Sequence, residues 1–278
     1  MKPRNDRFIL ITGCSSGIGL HCAKGLKNLG YRVIATARRE TSLTQLRSLG
    51  MDVFQLDLRS SESISGACEQ IFDFTGNRLY ALFNNGAYGQ PGAVEDLTRE
   101  VLRAQFETNL FGTHELTCKV IRHFRQQGEG RIIQNSSILG LVALRYRGAY
   151  NASKYALEGL SDTLRYELAD SGIHVSLIEP GPIDSEFRAN ALRAFEANID
   201  MDNSVHRERY QRTVERLNEP GPVAPGTLGP EAVLKKLVCA LEDRRPKARY
   251  HVTYPTTLLA TLKRVLPDTL MDRVLRKL

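Results

Sequence analysis

The opening forty residues constrain the chain more than any other stretch. An apolar run, Phe8-Ile9-Leu10-Ile11-Thr12, ends in a glycine loop, Gly13-Cys14-Ser15-Ser16-Gly17-Ile18-Gly19. A helical stretch over 17–29 follows, and then a second apolar run over 31–36. The same alternation continues. Strands are expected at 52–56, 79–83, 130–134 and 174–178, with a short one near 250–254. Helices are expected at 42–49, 61–74, 99–127 with a break, 150–170 and 231–242. Short β-rich runs separated by helices of this length predict parallel strands joined by crossovers. The expected fold is α/β, a single-domain doubly wound parallel sheet of Rossmann type with helices on both faces. A chain of 278 residues suits one such domain, 1–278. The alternation stops between 186 and 230. That stretch is helical over 188–198, then rich in Pro220, Gly221, Pro222, Pro225 and Gly226. It reads as a substrate lid inserted in the domain.

Composition removes several classes. With 42% hydrophobic and 25% charged residues, the chain can bury a core, which excludes a disordered or low-complexity protein. No run approaches 18 apolar residues, so no transmembrane helix is expected. The start, Met1-Lys2-Pro3-Arg4-Asn5-Asp6-Arg7, lacks the apolar region of a signal peptide. Five widely spaced cysteines, Cys14, Cys22, Cys68, Cys118 and Cys239, suit neither a disulfide framework nor a zinc site, and fit a reducing cytoplasm. The six histidines are isolated, and no metal site is expected. Of the formal net charge of +7, six units lie in 245–278, where eight Lys/Arg face Asp268 and Asp272. A nearly neutral body with no basic stripe argues against a nucleic-acid partner.

The glycine loop has the spacing Gly-x-x-x-Gly-x-Gly. After a strand and at the opening of a helix, such glycines let backbone approach a pyrophosphate, whose charge then faces the helix N-terminus. Glycines also mark plain turns. The strand–loop–helix context favours nucleotide binding. The second strand decides which nucleotide. An acidic residue there binds the ribose 2′-hydroxyl of NAD, whereas an Arg accommodates the 2′-phosphate of NADP. Here Ala37, Arg38 and Arg39 come before the first carboxylate, Glu40. Arg38 therefore points to NADP(H), against the alternative of two solvated arginines.

Tyr150-Asn151-Ala152-Ser153-Lys154 opens a helix and sets Tyr and Lys on one face. Ten Tyr and ten Lys in 278 residues give roughly 0.4 such pairs by chance, so the pair alone means little. Its company gives it weight: Ser136 and Ser137 end a strand, Asn109 lies in a long helical segment, and Asn84-Asn85-Gly86 ends the fourth strand. Together with Thr12-Gly13-x-x-x-Gly17-x-Gly19, Asp57 and Pro180-Gly181, these residues resemble the classical short-chain dehydrogenase/reductase family over residues 8 to 185. Within it, the glycine loop and the long region after Pro180-Gly181 are similar to the hydroxysteroid and retinol dehydrogenase branch. Ile178-Glu179-Pro180-Gly181-Pro182-Ile183 and the tail are similar to bacterial NADP-dependent aldehyde reductases.

The resemblance implies an oxidoreductase that transfers hydride between NADP(H) and a small hydrophobic carbonyl or alcohol, most simply an aldehyde reductase. Ketosteroid or hydroxysteroid oxidoreduction is the alternative, and a non-catalytic NADP sensor or scaffold is the alternative of another class. It implies Tyr150 as proton donor, Ser137 as the group polarising the carbonyl, Lys154 as partner of both phenol and nicotinamide ribose, and Asn109 as anchor of a relay water. The implied cofactor contacts are Gly13, Ser15, Ser16, Gly17, Ile18, Gly19, Arg38, Asp57, Leu58, Asn84, Gly86, Tyr150, Lys154, Pro180, Gly181, Ile183 and Ser185. Bringing a phenol from near 10 to about 7 needs about 4 kcal/mol. An ammonium at about 4 Å supplies roughly that at an effective dielectric of about 20. Two departures stand out. The family's Asn-Asn-Ala-Gly is Asn84-Asn85-Gly86-Ala87 here, where Ala87 is open to strain if φ must be positive. Ser185 replaces the usual Thr.

After Pro255, apolar residues fall at Leu258, Leu259, Leu262, Val265 and Leu266, then Leu270, Met271, Val274, Leu275 and Leu278. The spacing predicts two short amphipathic helices over 255–278, broken at Pro267. They are expected either to close the cavity or pack on another subunit of a dimer or tetramer, or to rest on an anionic membrane.

Overall fold

Strand β1 (Phe8–Ile11) is buried along its whole length, and its side chains divide with the strand period. Ile9 and Ile11 enter one apolar layer, and Phe8 and Leu10 the other. A strand apolar on both faces needs cover on both. The computed structural model, which describes residues 3–219, 221 and 224–278, supplies it. Met1, Lys2, Pro220 and Pro222, named above, lie outside the described residues.

Among the described residues β1, β2 (Arg32–Ala37), β3 (Asp52–Gln55), β4 (Leu79–Asn84), β5 (Gly130–Asn135), β6 (Ile173–Glu179) and β7 (Arg249–His251) form one parallel sheet. Their order is β3-β2-β1-β4-β5-β6-β7. Helices α1 (Gly17–Asn28), α2 (Glu40–Ser48) and α9 (Glu231–Glu242) pack on one face. Helices α3 (Ser61–Phe74), α5 (Thr113–Gln127) and α6 (Gly148–Glu167) cover the other. The order reverses between β1 and β4, which opens a crevice at their C-terminal ends where open α/β sheets bind ligands.

The break expected within 99–127 has a specific form. Helix α4 (Arg99–Phe106) runs into a π-helical segment, Glu107–Gly112, before α5. Gly112 lies so close to the Leu58 carbonyl that an added Cβ would sit 1.7 Å from its oxygen. In this π segment Asn109 is buried. A π turn of this kind often marks a functional site.

The 186–230 stretch holds more helix than its Pro and Gly content suggests. Besides α7 (Phe187–Asn198), it forms α8 (Arg207–Asn218). In α8, Tyr210, Val214 and Leu217 keep helical spacing but are outnumbered by charged residues, which hides the pattern. Both helices close a small third core of Ala93, Phe195, Ile199 and Tyr210. Asp96 fastens it, accepting hydrogen bonds from Ser204 Oγ at 2.6 Å and from the Tyr210 hydroxyl.

The tail forms α10 (Tyr254–Val265) and α11 (Asp268–Leu275), divided at Pro267 as expected. Thr256, Ala260 and Met271 point inward and are buried. Leu258, Val265, Leu270 and Leu278 are exposed, so part of the apolar set is not used by the fold. Among the described residues no helix is long and apolar enough to cross a membrane.

Candidate active site

The C-terminal ends of β1, β4, β5 and β6 and the starts of α1 and α6 converge at the crevice. At its floor, Thr12 Oγ1 accepts hydrogen bonds from the backbone N–H groups of Asn85 (2.9 Å) and Gly86 (2.8 Å). Asn85 Nδ2 donates to the carbonyls of Thr12 (3.0 Å) and Gly13 (3.2 Å), which ties β1 to β4. Gly13 has φ of +70°, and an added Cβ at Gly19 would sit 2.2 Å from the Gly13 carbonyl oxygen. The loop is therefore drawn in tightly and leaves the N-terminus of α1, with its unpaired N–H groups, open beside Ser15, Ser16 and Ile18. Gly17 faces Ser185, whose Cβ would lie 3.3 Å from a Cβ placed there. Neither Gly86 nor Ala87 has positive φ, so the swapped pair carries no backbone strain. Leu58 Cδ1 packs against Gly86, at 3.1 Å from an added Cβ.

This cradle suits a dinucleotide, because the glycines leave room for a diphosphate. Arg38 stands exposed just beyond β2 and has no ion pair among the described residues. The first carboxylate after it, Glu40, is paired with Arg47 instead. Asp57 accepts from the Arg59 backbone (3.0 Å) and from Arg59 Nη2 (3.1 Å). Burial works against its charge, but these Arg59 contacts hold its carboxyl below the usual range.

On the other side of the crevice, Tyr150 and Lys154 lie on the first turns of α6, both buried. Lys154 Nζ is 5.7 Å from the centre of the Tyr150 ring and donates to the Asn135 carbonyl at 2.7 Å. Ser137, just past β5, faces the Tyr150 hydroxyl and accepts from the Leu139 N–H at 3.1 Å. Asn109 grips the loop after β4: its Oδ1 accepts from the Tyr88 N–H (3.1 Å), and its Nδ2 donates to the Tyr88 carbonyl (2.9 Å) and Ser153 Oγ (3.2 Å). Pro180, past β6, accepts from the Ile138 N–H at 2.8 Å. Gly181 packs against Thr253 and Thr256, whose Oγ1 atoms would be 2.2 and 2.8 Å from an added Cβ. Ile183 bridges to Leu228, which brings the two ends of the 186–230 stretch together. The Phe187 ring meets the Tyr150 ring edge-on at 5.3 Å and forms an apolar wall.

The short chain dehydrogenase family model matches residues 7–195, which include the glycine loop, Asn109, Ser137, Tyr150 and Lys154. The chain belongs to the short-chain dehydrogenase/reductase family. It is 42% identical to the oxidoreductase YbbO of Escherichia coli strain K12, over 98% of this chain and 94% of that one. Human 17-beta-hydroxysteroid dehydrogenase type 1 is 32% identical, over 88% of this chain and 77% of that one. Among solved structures, a single-substitution variant of actinorhodin polyketide ketoreductase with NADPH superposes with a TM-score of 0.72 at 27% identity, covering 91% of this chain and 97% of that one.

The electrostatics of this short-chain dehydrogenase/reductase differ from the simple expectation for Tyr150. Burial pushes the phenol up to about 12, against the pull of Ser137 and Arg147. Burial also brings Lys154 down to about 8, with the Glu158 carboxylate opposing it. Without cofactor, the ammonium does not bring the phenol near neutrality. Behind α6 lies a network that the sequence reading missed. Glu158 accepts from Arg249 Nη2 at 2.9 Å, and the same nitrogen reaches Asp162 at 2.7 Å. Arg249 Nε and His251 Nε2 lie 3.1 and 3.0 Å from the fully buried Glu179 carboxylate. Glu158 falls four residues after Lys154, a helical spacing that was readable. Arg249, 91 residues further on, was not.

Proposed function

We propose that the protein is an NADP(H)-dependent reductase of hydrophobic carbonyl compounds, aldehydes first, and that it also oxidises the matching alcohols. The observation that carries this reading is the convergence of Tyr150, Ser137 and Lys154 at the strand ends facing the glycine loop. Gly13, Ser15, Ser16, Gly17, Ile18 and Gly19 hold the diphosphate, and Arg38 the 2′-phosphate. Asp57 and Leu58 flank the adenine side. Asn84, Gly86, Pro180, Gly181, Ile183 and Ser185 line the nicotinamide side. When bound, NADPH supplies the hydride. Ser137 donates a hydrogen bond to the carbonyl oxygen, and Tyr150 delivers its phenol proton as negative charge develops there. Lys154 holds the nicotinamide ribose and stabilises the phenolate left behind, and Asn109 anchors the water that restores the proton. Helices α7 and α8 act as the lid of a single domain.

The test is NADPH consumption over a panel of alkyl aldehydes, retinal and ketosteroids. Faster turnover of ketosteroids would favour the second reading, which the likeness to the human hydroxysteroid enzyme supports. Binding without turnover of any compound would favour the sensor reading.

The exposed Arg38, in no ion pair among the described residues, supports NADP(H) over NAD(H). NADPH is expected to give the higher kcat/KM, and Arg38→Asp to remove or reverse the difference. Loss of a charge-assisted phosphate contact corresponds to about 10–150-fold. Equal efficiency of both cofactors with the unaltered protein would refute this role.

We assign the protein to a reducing, cytoplasmic setting, which its free cysteines suit. Its tail is assigned to contact with an anionic membrane or a second subunit. The exposed Leu258, Val265, Leu270 and Leu278 lie among Lys263, Arg264, Arg273, Arg276 and Lys277, which supports such contact. Sedimentation with anionic vesicles at low but not high salt is expected for a membrane role. A protein that stays in the supernatant at low salt, and dimerises instead, assigns the tail to an oligomer.

A further inference from the structure

Arginines withdrawn from solvent need partners, because an unpaired buried cation is costly. Arg131 donates to the Ala240 carbonyl at 2.7 Å and Arg188 to the Glu219 carbonyl at 3.2 Å. Arg165 pairs with Asp162, Arg249 with three carboxylates, and Arg7 lies over the Tyr80 ring. Arg147 breaks this pattern. It is half-buried, yet among the described residues its guanidinium has no hydrogen bond, ion pair or ring contact. No carboxylate is close enough to influence it, and the charged or titratable groups that do are Arg216 and Tyr150.

Its position is defined by its neighbours. Arg147 precedes α6, three residues before Tyr150, and bridges to Gly92 in the loop after β4. The adjacent Tyr146 accepts a hydrogen bond from Arg209 Nη1 of α8 at 2.9 Å, which lays α8 along the start of α6. Phe187, against the Tyr150 ring, is followed by Arg188, whose bonds to the carbonyls of Glu219 and Gly221 hold the chain just past α8. Arg216, exposed on the last turn of α8, is brought near Arg147 in this way. The carboxylate in range of Arg216 is Glu219, which forms no ion pair among the described residues. The cleft beside the reacting phenol thus has one withdrawn, unpaired guanidinium, a second at its rim, and an aromatic wall.

We propose that Arg147, assisted by Arg216, binds an anionic group on the substrate, so that the natural substrates are carbonyl compounds with an apolar body and a carboxylate or similarly charged group. This rests on the reading of Tyr150 as the reacting group. A planar guanidinium offers paired N–H donors that match a carboxylate, and withdrawal from water strengthens the pair. Phe187 meets the apolar body, while the anion supplies the missing partner of Arg147.

The test compares kcat/KM for a medium-chain aldehyde ending in a carboxylate with that for its methyl ester, in the unaltered protein, Arg147→Met and Arg216→Met. The acid is expected to be favoured by about 10–100-fold at low salt, as suits one charge-assisted contact. Arg147→Met should collapse the ratio towards one, chiefly through KM, and the exposed Arg216→Met should reduce it in part. An unaltered protein that favours the ester overturns the proposal. So does an Arg147→Met variant that loses both substrates equally, since Arg147 would then act through Tyr150. Calorimetric titration with a medium-chain dicarboxylate separates this proposal from the reductase reading. Binding that Arg147→Met weakens at least about 10-fold supports the anion site even if neither aldehyde is reduced. Absence of such binding overturns it even if both are.

Discussion

Tyr150→Phe is expected to lower turnover by at least about 10²-fold and to leave NADPH binding in place. The phenyl ring still fills the buried position against Phe187, whereas the hydroxyl facing Ser137 is the only group removed. Steady-state rates and NADPH fluorescence titration read the two effects separately. A variant keeping more than a tenth of the activity sinks the assignment. The pH profile adds a sign. With the phenol pushed up to about 12, Tyr150 stays protonated through the neutral range and remains able to donate. Lys154, brought down to about 8, is charged below that pH and neutral above it. Reduction should therefore fall as pH rises through about 8, following the loss of the ammonium rather than of the phenol proton. Lys154→Ala should lose both rate and cofactor affinity.

Much of this arrangement could be read from the chain because it rests on short-range pattern. Strands such as β1, buried on both faces, appear as unbroken apolar runs, and the pairing of Tyr150 with Lys154 is a single helical turn. Arg38 could be weighed against NAD because only the few residues after β2 matter. What escaped depends on contacts between distant segments. The interruption before α5 was visible, but not that its Gly112 meets the Leu58 carbonyl, 54 positions earlier in sequence. Helix α8 escaped because three apolar residues among many charges acquire meaning only against Ala93 and Phe195. In the sequence nothing sets Arg147 apart from the other arginines. Its lack of a partner is a property of the fold, in which Arg131, Arg165, Arg188 and Arg249 each have one.

The second large effect is expected from one methyl group in the glycine loop. Gly19→Ala places a carbon 2.2 Å from the Gly13 carbonyl oxygen and 2.5 Å from Asn85 Nδ2. The first contact is backbone, so the side chain cannot turn away, and relief must come from moving the loop off α1. That movement breaks the Asn85 bonds to Thr12 and Gly13, which join β1 to β4 at the crevice. NADPH affinity should drop by at least about 10²-fold, and overpacking of this kind costs about 1–3 kcal/mol of stability. Gly66→Ala provides the opposite case. Gly66 lies within α3 with nothing within 4 Å of its added Cβ. There the methyl only restricts the unfolded chain, and a gain of about 0.5–1 kcal/mol is expected with cofactor binding unchanged. Chemical denaturation and fluorescence titration of both variants measure the contrast. If Gly19→Ala binds NADPH as well as Gly66→Ala does, the close approach of Gly13 and Gly19 is not what shapes the diphosphate cradle.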